Sequence, residues 1–160
     1  MKKKKPNPKT VILKDTRESV KSIYHFTQQK FKDVQMIRMK LDVGDFSVLG
    51  CTNEITVERK TLADLCGSMG NNRACFERMW VRADDLNIQH RYIMVEGTFG
   101  DMMKGNYISA IHPNSLLGSL VGWSIKYKFS FFFVPDAKTG EMAIYYLMKN
   151  YLRIKKESGL

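Results

Sequence analysis

The sequence predicts an α/β fold, a mixed central sheet flanked by helices, and three observations predict it. Short apolar runs of strand length alternate with longer amphipathic stretches along the chain. Hydrophobic residues make up 44% of 160 residues, which suits one domain with one ordinary core. Neither an internal repeat nor a second block of different composition breaks that pattern.

Taken in order, residues 1–9 form a predicted disordered tail, because Lys2 to Lys5 and Lys9 are broken by Pro6 and Pro8. Val11 to Leu13 begins a strand that ends at Lys14 and Asp15. Val20 to Phe31 is expected to be helical, since Val20, Ile23, Tyr24 (or Phe26) and Phe31 recur near one face. Val34 to Leu41 reads as a strand with imperfect alternation. Phe46 to Leu49 and Glu54 to Lys60 form a hairpin around Gly50, Thr52 and Asn53. Thr61 starts one helix, and a second spans roughly Arg73 to Leu86. Tyr92 to Val95 is a short buried strand, followed by a glycine-rich loop from Gly97 to Pro113. Ser115 to Tyr127 is helical, Phe129 to Val134 is an apolar strand closed by Pro135, and Glu141 to Ile154 is the last helix.

Lysine and arginine number 26 against 16 acids, a formal charge of +10. That excess favours a polyanionic partner, nucleic acid ahead of an anionic membrane. No apolar run approaches the roughly 20 residues of a membrane span. The basic N-terminus leads into Pro6, Asn7 and Pro8 rather than the apolar stretch of a signal peptide, so an intracellular setting is expected. Three cysteines (Cys51, Cys66, Cys75) lack a C-x-x-C pair, and His25, His90 and His112 are scattered. Neither a disulfide framework nor zinc is expected.

The chemistry concentrates around residues 44–64. On a strand, Thr56, Glu58 and Lys60 share one face, while Ile55, Val57 and Arg59 share the other. Glu58 and Lys60 therefore stand side by side, and Asp45 can approach them across the hairpin. Asp15, Glu18, Asp45, Glu58 and Asp64 would cluster in a basic protein. Such a cluster is costly without a cation. Carboxylates hold Mg²⁺ through oxygen, the metal acidifies water, and a lysine stabilises charge on a phosphorane. Structural readings stand beside this one. Thr61 and Asp64 have capping-box spacing, Asp15 to Glu18 can cap a helix, and Glu58 with Lys60 can be a plain surface pair.

Gly44-Asp45, a gap, then Glu58-Arg59-Lys60 with Asp64 beyond reproduces the G-D-Xn-E-R-K-X-X-X-D signature. In this the sequence resembles the XPF nuclease family of structure-selective endonucleases. Asp15-Thr16-Arg17-Glu18 after a strand, Leu65 to Met69 followed by Arg73, and the strand ending in Glu96-Gly97 resemble that family too. The resemblance covers most of residues 11–150 and implies one nuclease domain, placed at 10–156, with a restriction-endonuclease-like core. It implies a metal-dependent DNA endonuclease acting on branched or flapped DNA in repair, recombination or replication. Mg²⁺, or Mn²⁺ as substitute, would sit on Asp45 and Glu58 with support from Asp15 and Glu18. Lys60 would act on the nucleophile or transition state, Asp64 would support the site, and Arg59 would hold the scaffold or touch phosphate. Expected DNA contacts are Arg17, Arg73, Lys104 and Lys9. The resemblance also implies a homodimer, which the apolar residues around the last helix suggest independently. Tandem helix-hairpin-helix and helicase-like modules of the family find no room in 160 residues. A catalytically silent DNA-binding or dimer-partner module on the same fold is the alternative reading.

Overall fold

The computed structural model describes residues 10–19 and 23–159. Six strands form one sheet: β1 (Thr10–Lys14), β2 (Val34–Arg38), β3 (Phe46–Val48), β4 (Ile55–Thr61), β5 (His90–Glu96) and β6 (Ser130–Val134). Their spatial order is β2-β1-β3-β4-β5-β6. The pairs β1/β2, β4/β5 and β5/β6 are parallel, whereas β3 runs antiparallel to both β1 and β4. A mixed sheet of this kind matches the restriction-endonuclease-like core. Alternation along each strand then sends successive side chains to opposite faces.

Five helices cover those faces: α1 (Leu62–Met69), α2 (Arg73–Asp85), α3 (Phe99–Lys104), α4 (Pro113–Tyr127) and α5 (Ala137–Ser158). Leu65, Trp80, Leu116 and Leu120 from α1, α2 and α4 pack with Ile93 and Val95 of β5 in one core. On the other face Ile144 and Met148 of α5 pack with Ile12, Phe46, Val57 and Met94. Neighbouring residues of β5 thus enter different cores, as the strand period requires. Among the described residues no helix is long and apolar enough to cross a membrane. Cys51 and Cys66 are buried thiols, and Cys75 is an exposed one.

Two expectations from the sequence need correction. No α-helix forms over the described part of 20–31; residues 20–22 lie outside the described residues, and only a 3₁₀ turn at Gln29–Phe31 is helical. Tyr24 and Phe26 are both buried with exposed His25 between them, an alternation that a helix cannot produce. Phe26 has φ 53°, and the N–H groups of His25 and Phe26 donate to the Glu141 carboxylate at 3.0 and 2.7 Å instead of to a helical ladder. Conversely, the expected loop from Gly97 to Pro113 contains α3. Thr98 caps it by accepting from Asp101 N–H, and Gly105 ends it at φ 72°.

Candidate active site

The Gly44-Asp45 corner and the end of β4 build the floor of the site. Gly44 sits at φ 72°, and a Cβ there would collide with the Thr56 hydroxyl. The turn needs glycine both for its backbone angle and for its closeness to β4. It leaves Asp45 pinned between strands: its N–H donates to Val57 O at 2.8 Å, and its carbonyl accepts from Asp15 N–H at 2.8 Å. One oxygen of its carboxylate accepts the Arg59 N–H at 2.8 Å.

Glu58 and Lys60 lie on the same face of β4, with Lys60 Nζ 2.9 Å from Glu58 Oε1. Both side chains are little exposed, and the Lys60 ammonium also lies 5.1 Å from the ring centroid of Phe76 on α2. Burial first, and the Glu58 charge second, push the Asp45 carboxyl well above its ordinary pKa. Two neighbouring carboxylates, one of them largely desolvated, are an unfavourable arrangement that a cation relieves. The donor set is hard oxygen, which suits Mg²⁺; that ion characteristically takes one or two protein carboxylates and completes its shell with water and substrate phosphate.

Asp15, Glu18 and Asp64 line the same cleft, a volume of ≈ 1210 Å³ that also contains Asp45, Glu58 and Lys60. The structure does not bring them to the point between Asp45 and Glu58: among the described residues, no three acids, histidines or cysteines converge on one ion position. Asp15 is engaged elsewhere. Its carboxylate accepts from Arg17 N–H at 2.8 Å, Arg17 Nε at 2.7 Å and Leu41 N–H at 2.6 Å. Burial alone would raise its pKa, but the hydrogen bonds from Arg17 and Leu41 outweigh it and hold it below the ordinary value. Glu18 faces Arg59 at 3.4 Å. Asp64 forms the capping box of α1, its carboxylate accepting the Thr61 hydroxyl at 2.7 Å.

Arg59 points away from Glu58, to the opposite face of β4. It makes a two-pronged pair with Glu96 of β5, both bonds 2.7 Å, and its guanidinium lies 5.4 Å from the Tyr24 ring centroid. The parallel register sets Arg59 opposite Met94, so Glu96 two residues on shares its face. The Tyr24 hydroxyl donates to the same Glu96 carboxylate. Arg59 is thus a strut between β4, β5 and the segment around Tyr24, and pairing with Glu96 raises its pKa further. Glu96 and Glu141 were given no role by the sequence. The Glu96-Gly97 step was the available signal for the first, and nothing local marked the second.

The other basic residues singled out by sequence are dispersed. Arg17 is held by Asp15 at the cleft, Arg73 pairs with Glu77 at 3.0 Å and stacks over Trp123, and Lys104 is exposed on α3. Lys9 and the tail lie outside the described residues.

The family model of the ERCC4 domain matches residues 14–146. Among solved structures, XPF from Aeropyrum pernix is similar with a TM-score of 0.67 and 24% identity, over 88% of this chain and 61% of that one. XPF from Aeropyrum pernix in complex with DNA gives a TM-score of 0.68 at 22% identity, over 91% and 66%. The chain therefore spans less than two thirds of the length of either, and at these identities the likeness speaks for the fold. No curated protein matches the chain by sequence.

Proposed function

The chain belongs to the ERCC4 domain family of structure-specific DNA nucleases, and on that premise we propose that it is itself a metal-dependent endonuclease that hydrolyses phosphodiesters in branched or flapped DNA. One observation carries the reading: Asp45 and Glu58 line one cleft floor, with the Asp45 carboxyl raised by burial and by the Glu58 charge, and Lys60 stands 2.9 Å from Glu58.

Asp45 and Glu58 are the residues that would hold a divalent cation, Mg²⁺ or Mn²⁺. When bound, such an ion supplies Lewis acidity toward the phosphate and makes water a stronger acid. Lys60 keeps a positive charge at the cleft floor, fixed by Glu58 and by the Phe76 face, where it can orient the attacking water or offset charge on the pentavalent phosphorus. Its restraint on two sides means that little reorganisation is needed as charge develops. Asp15 and Asp64 shape the walls, and Arg59 holds the floor by its pairing with Glu96. The partners in this reading are DNA and a second copy of the chain.

The test is incubation with labelled flap, fork, four-way junction and linear duplex DNA, with and without Mg²⁺ or Mn²⁺. Metal-dependent cleavage of at least one branched substrate is expected. Asp45→Ala, Glu58→Ala and Lys60→Ala should each lower kcat by about 100-fold or more while the protein stays folded. Wild-type protein that cuts none of these substrates in either metal, or Glu58→Ala that cuts at the wild-type rate, would refute the reading.

A further inference from the structure

Most arginines among the described residues are engaged with protein acceptors. Arg17 bonds Asp15, Arg38 the carbonyls of Thr16 and Glu18, Arg59 Glu96, Arg73 Glu77, Arg91 Asp84 and Arg153 Glu157. Arg78 and Arg82 differ. Both are exposed on α2, both line the cleft that holds Asp45, Glu58 and Lys60, and neither has an acid or carbonyl partner for its guanidinium among the described residues.

Their placement is regular. They stand at i and i+4, one turn or about 6 Å apart along the helix axis, so they share one face. Phe76 and Met79 of the same helix line the cleft as well, which makes α2 the wall facing the carboxylate floor. The acids of α2 offset that wall only in part: Glu77 is taken by Arg73 and Asp84 by Arg91, which leaves Asp85, lining the cleft three residues beyond Arg82, as one carboxylate against two guanidiniums. A solvated helix face would also tolerate two arginines. Here, in addition, both of them line the cleft that holds the carboxylates.

We propose that Arg78 and Arg82 form a phosphate-binding wall that grips two successive phosphates of the strand lying on Asp45 and Glu58. The ligand class is the nucleic-acid backbone, read without base preference, because a guanidinium fork matches phosphate oxygens and sees no base from there. One helical turn is comparable with the spacing of neighbouring phosphates on a strand. The inference rests on the endonuclease reading for which strand is held, and it does not depend on cleavage for its measurement.

The test is titration of a fluorescent flap DNA with the full chain in Ca²⁺, by anisotropy, over a range of salt concentrations. Wild type is compared with Arg78→Ala/Arg82→Ala, with the charge-retaining Arg78→Lys/Arg82→Lys, and with Lys32→Ala/Lys138→Ala, which removes the same charge from exposed positions outside the cleft. The alanine pair should weaken binding about tenfold and flatten the salt slope by about 1.8, two contacts' worth on duplex. The lysine pair should recover most of that slope, and the control pair should stay within about twofold of wild type. In Mg²⁺ the alanine pair should raise KM and leave kcat in place, the signature of lost uniform binding. An alanine pair with wild-type affinity and slope overturns the inference, as does a control pair that loses as much, since the effect would then be the general field of the protein. Wild type that binds but never cuts refutes the endonuclease reading alone; the salt slopes still decide whether the wall exists.

Discussion

At the residue scale, the site depends on groups that do no chemistry. Gly44 is one: Gly44→Ala asks an L-residue to sit at φ 72° against the Thr56 hydroxyl. The backbone contribution is about 1–2 kcal/mol, and overpacking adds about 1–3 kcal/mol. Urea unfolding should show a lower midpoint at unchanged slope, with cleavage lowered because Asp45 moves with the corner. Asp15 is another. It is almost wholly buried, and its folded-state pKa lies below the ordinary value of 3.8 because Arg17 and Leu41 donate to its carboxylate. A depressed carboxylate stabilises the fold above its unfolded pKa, and that contribution is lost as pH falls through the folded pKa. Asp15→Ala should therefore cost about 2–3 kcal/mol at pH 7, and the gap to wild type should close progressively below about pH 4. Unfolding curves at pH 7, 5 and 3.5 measure it; a gap that stays constant with pH would assign the loss to packing instead. The arrangement of Glu58 beside Lys60 and away from Arg59 was readable from the period of two, since it depends only on β4 being a strand. The destination of Glu18 was not readable, because it is decided by Arg59, 41 residues away, and that of Asp15 only in part, because Leu41, 26 residues away, shares it with the neighbouring Arg17.

At the element scale, what was legible divides by the range of the forces involved. Most strands were legible as short apolar runs, β4 by its alternation, and α1 because its capping box is written within four residues. Helix α3 carried the same local signal, Thr98 with Asp101 and then Gly105, but six residues with three glycines nearby showed no periodicity to support it. The segment around Tyr24 failed for the opposite reason. Its aromatic spacing fits a helix, yet its conformation is imposed by Glu141 on α5, more than a hundred residues away, and by Glu96 at the end of β5. Gly140, beside Glu141, is required as well, since a Cβ there would strike the Tyr24 hydroxyl. Glu141→Ala should leave the N–H groups of His25 and Phe26 without their acceptor, a loss of about 2–4 kcal/mol. Hydrogen exchange should quicken at those two amides before it quickens in β4 or β5. With Tyr24 loosened, the Arg59–Glu96 strut loses one partner and kcat should fall, while exchange and kcat both unchanged would deny the segment its dependence on α5.

At the scale of the whole molecule, the question is what covers the β6 end of the sheet. The apolar residues spread around α5, which suggest a homodimer, are in large part satisfied within one chain. Ile144, Tyr145 and Met148 are buried against the sheet, and Leu147, Tyr151 and Leu152 are packed at its margin. What remains outward is Tyr146 at 56% exposure and Ile154 at 51%. In addition, β6 is an edge strand, S-F-F-F-V, with Phe131, Phe132 and Phe133 only partly buried. An apolar edge strand is a pairing hazard that folded proteins cover or blunt, and neither a proline nor a charge interrupts this one. Ile125 of α4, at 75% exposure, adds apolar surface just before that strand in the chain. A two-fold partner meeting this end would cover what α5 leaves open, and such dimers are the commonest assembly. Light scattering at micromolar concentration should therefore give the mass of two chains. Tyr146→Glu is the cleaner disrupting variant, because its side chain is exposed in the monomer, whereas Leu147 packs against the core and its replacement risks unfolding. Tyr146→Glu together with Ile125→Glu should yield the mass of one chain with an unchanged far-ultraviolet spectrum. A wild-type mass of one chain, with or without DNA, would show that the β6 edge stays open to water in solution.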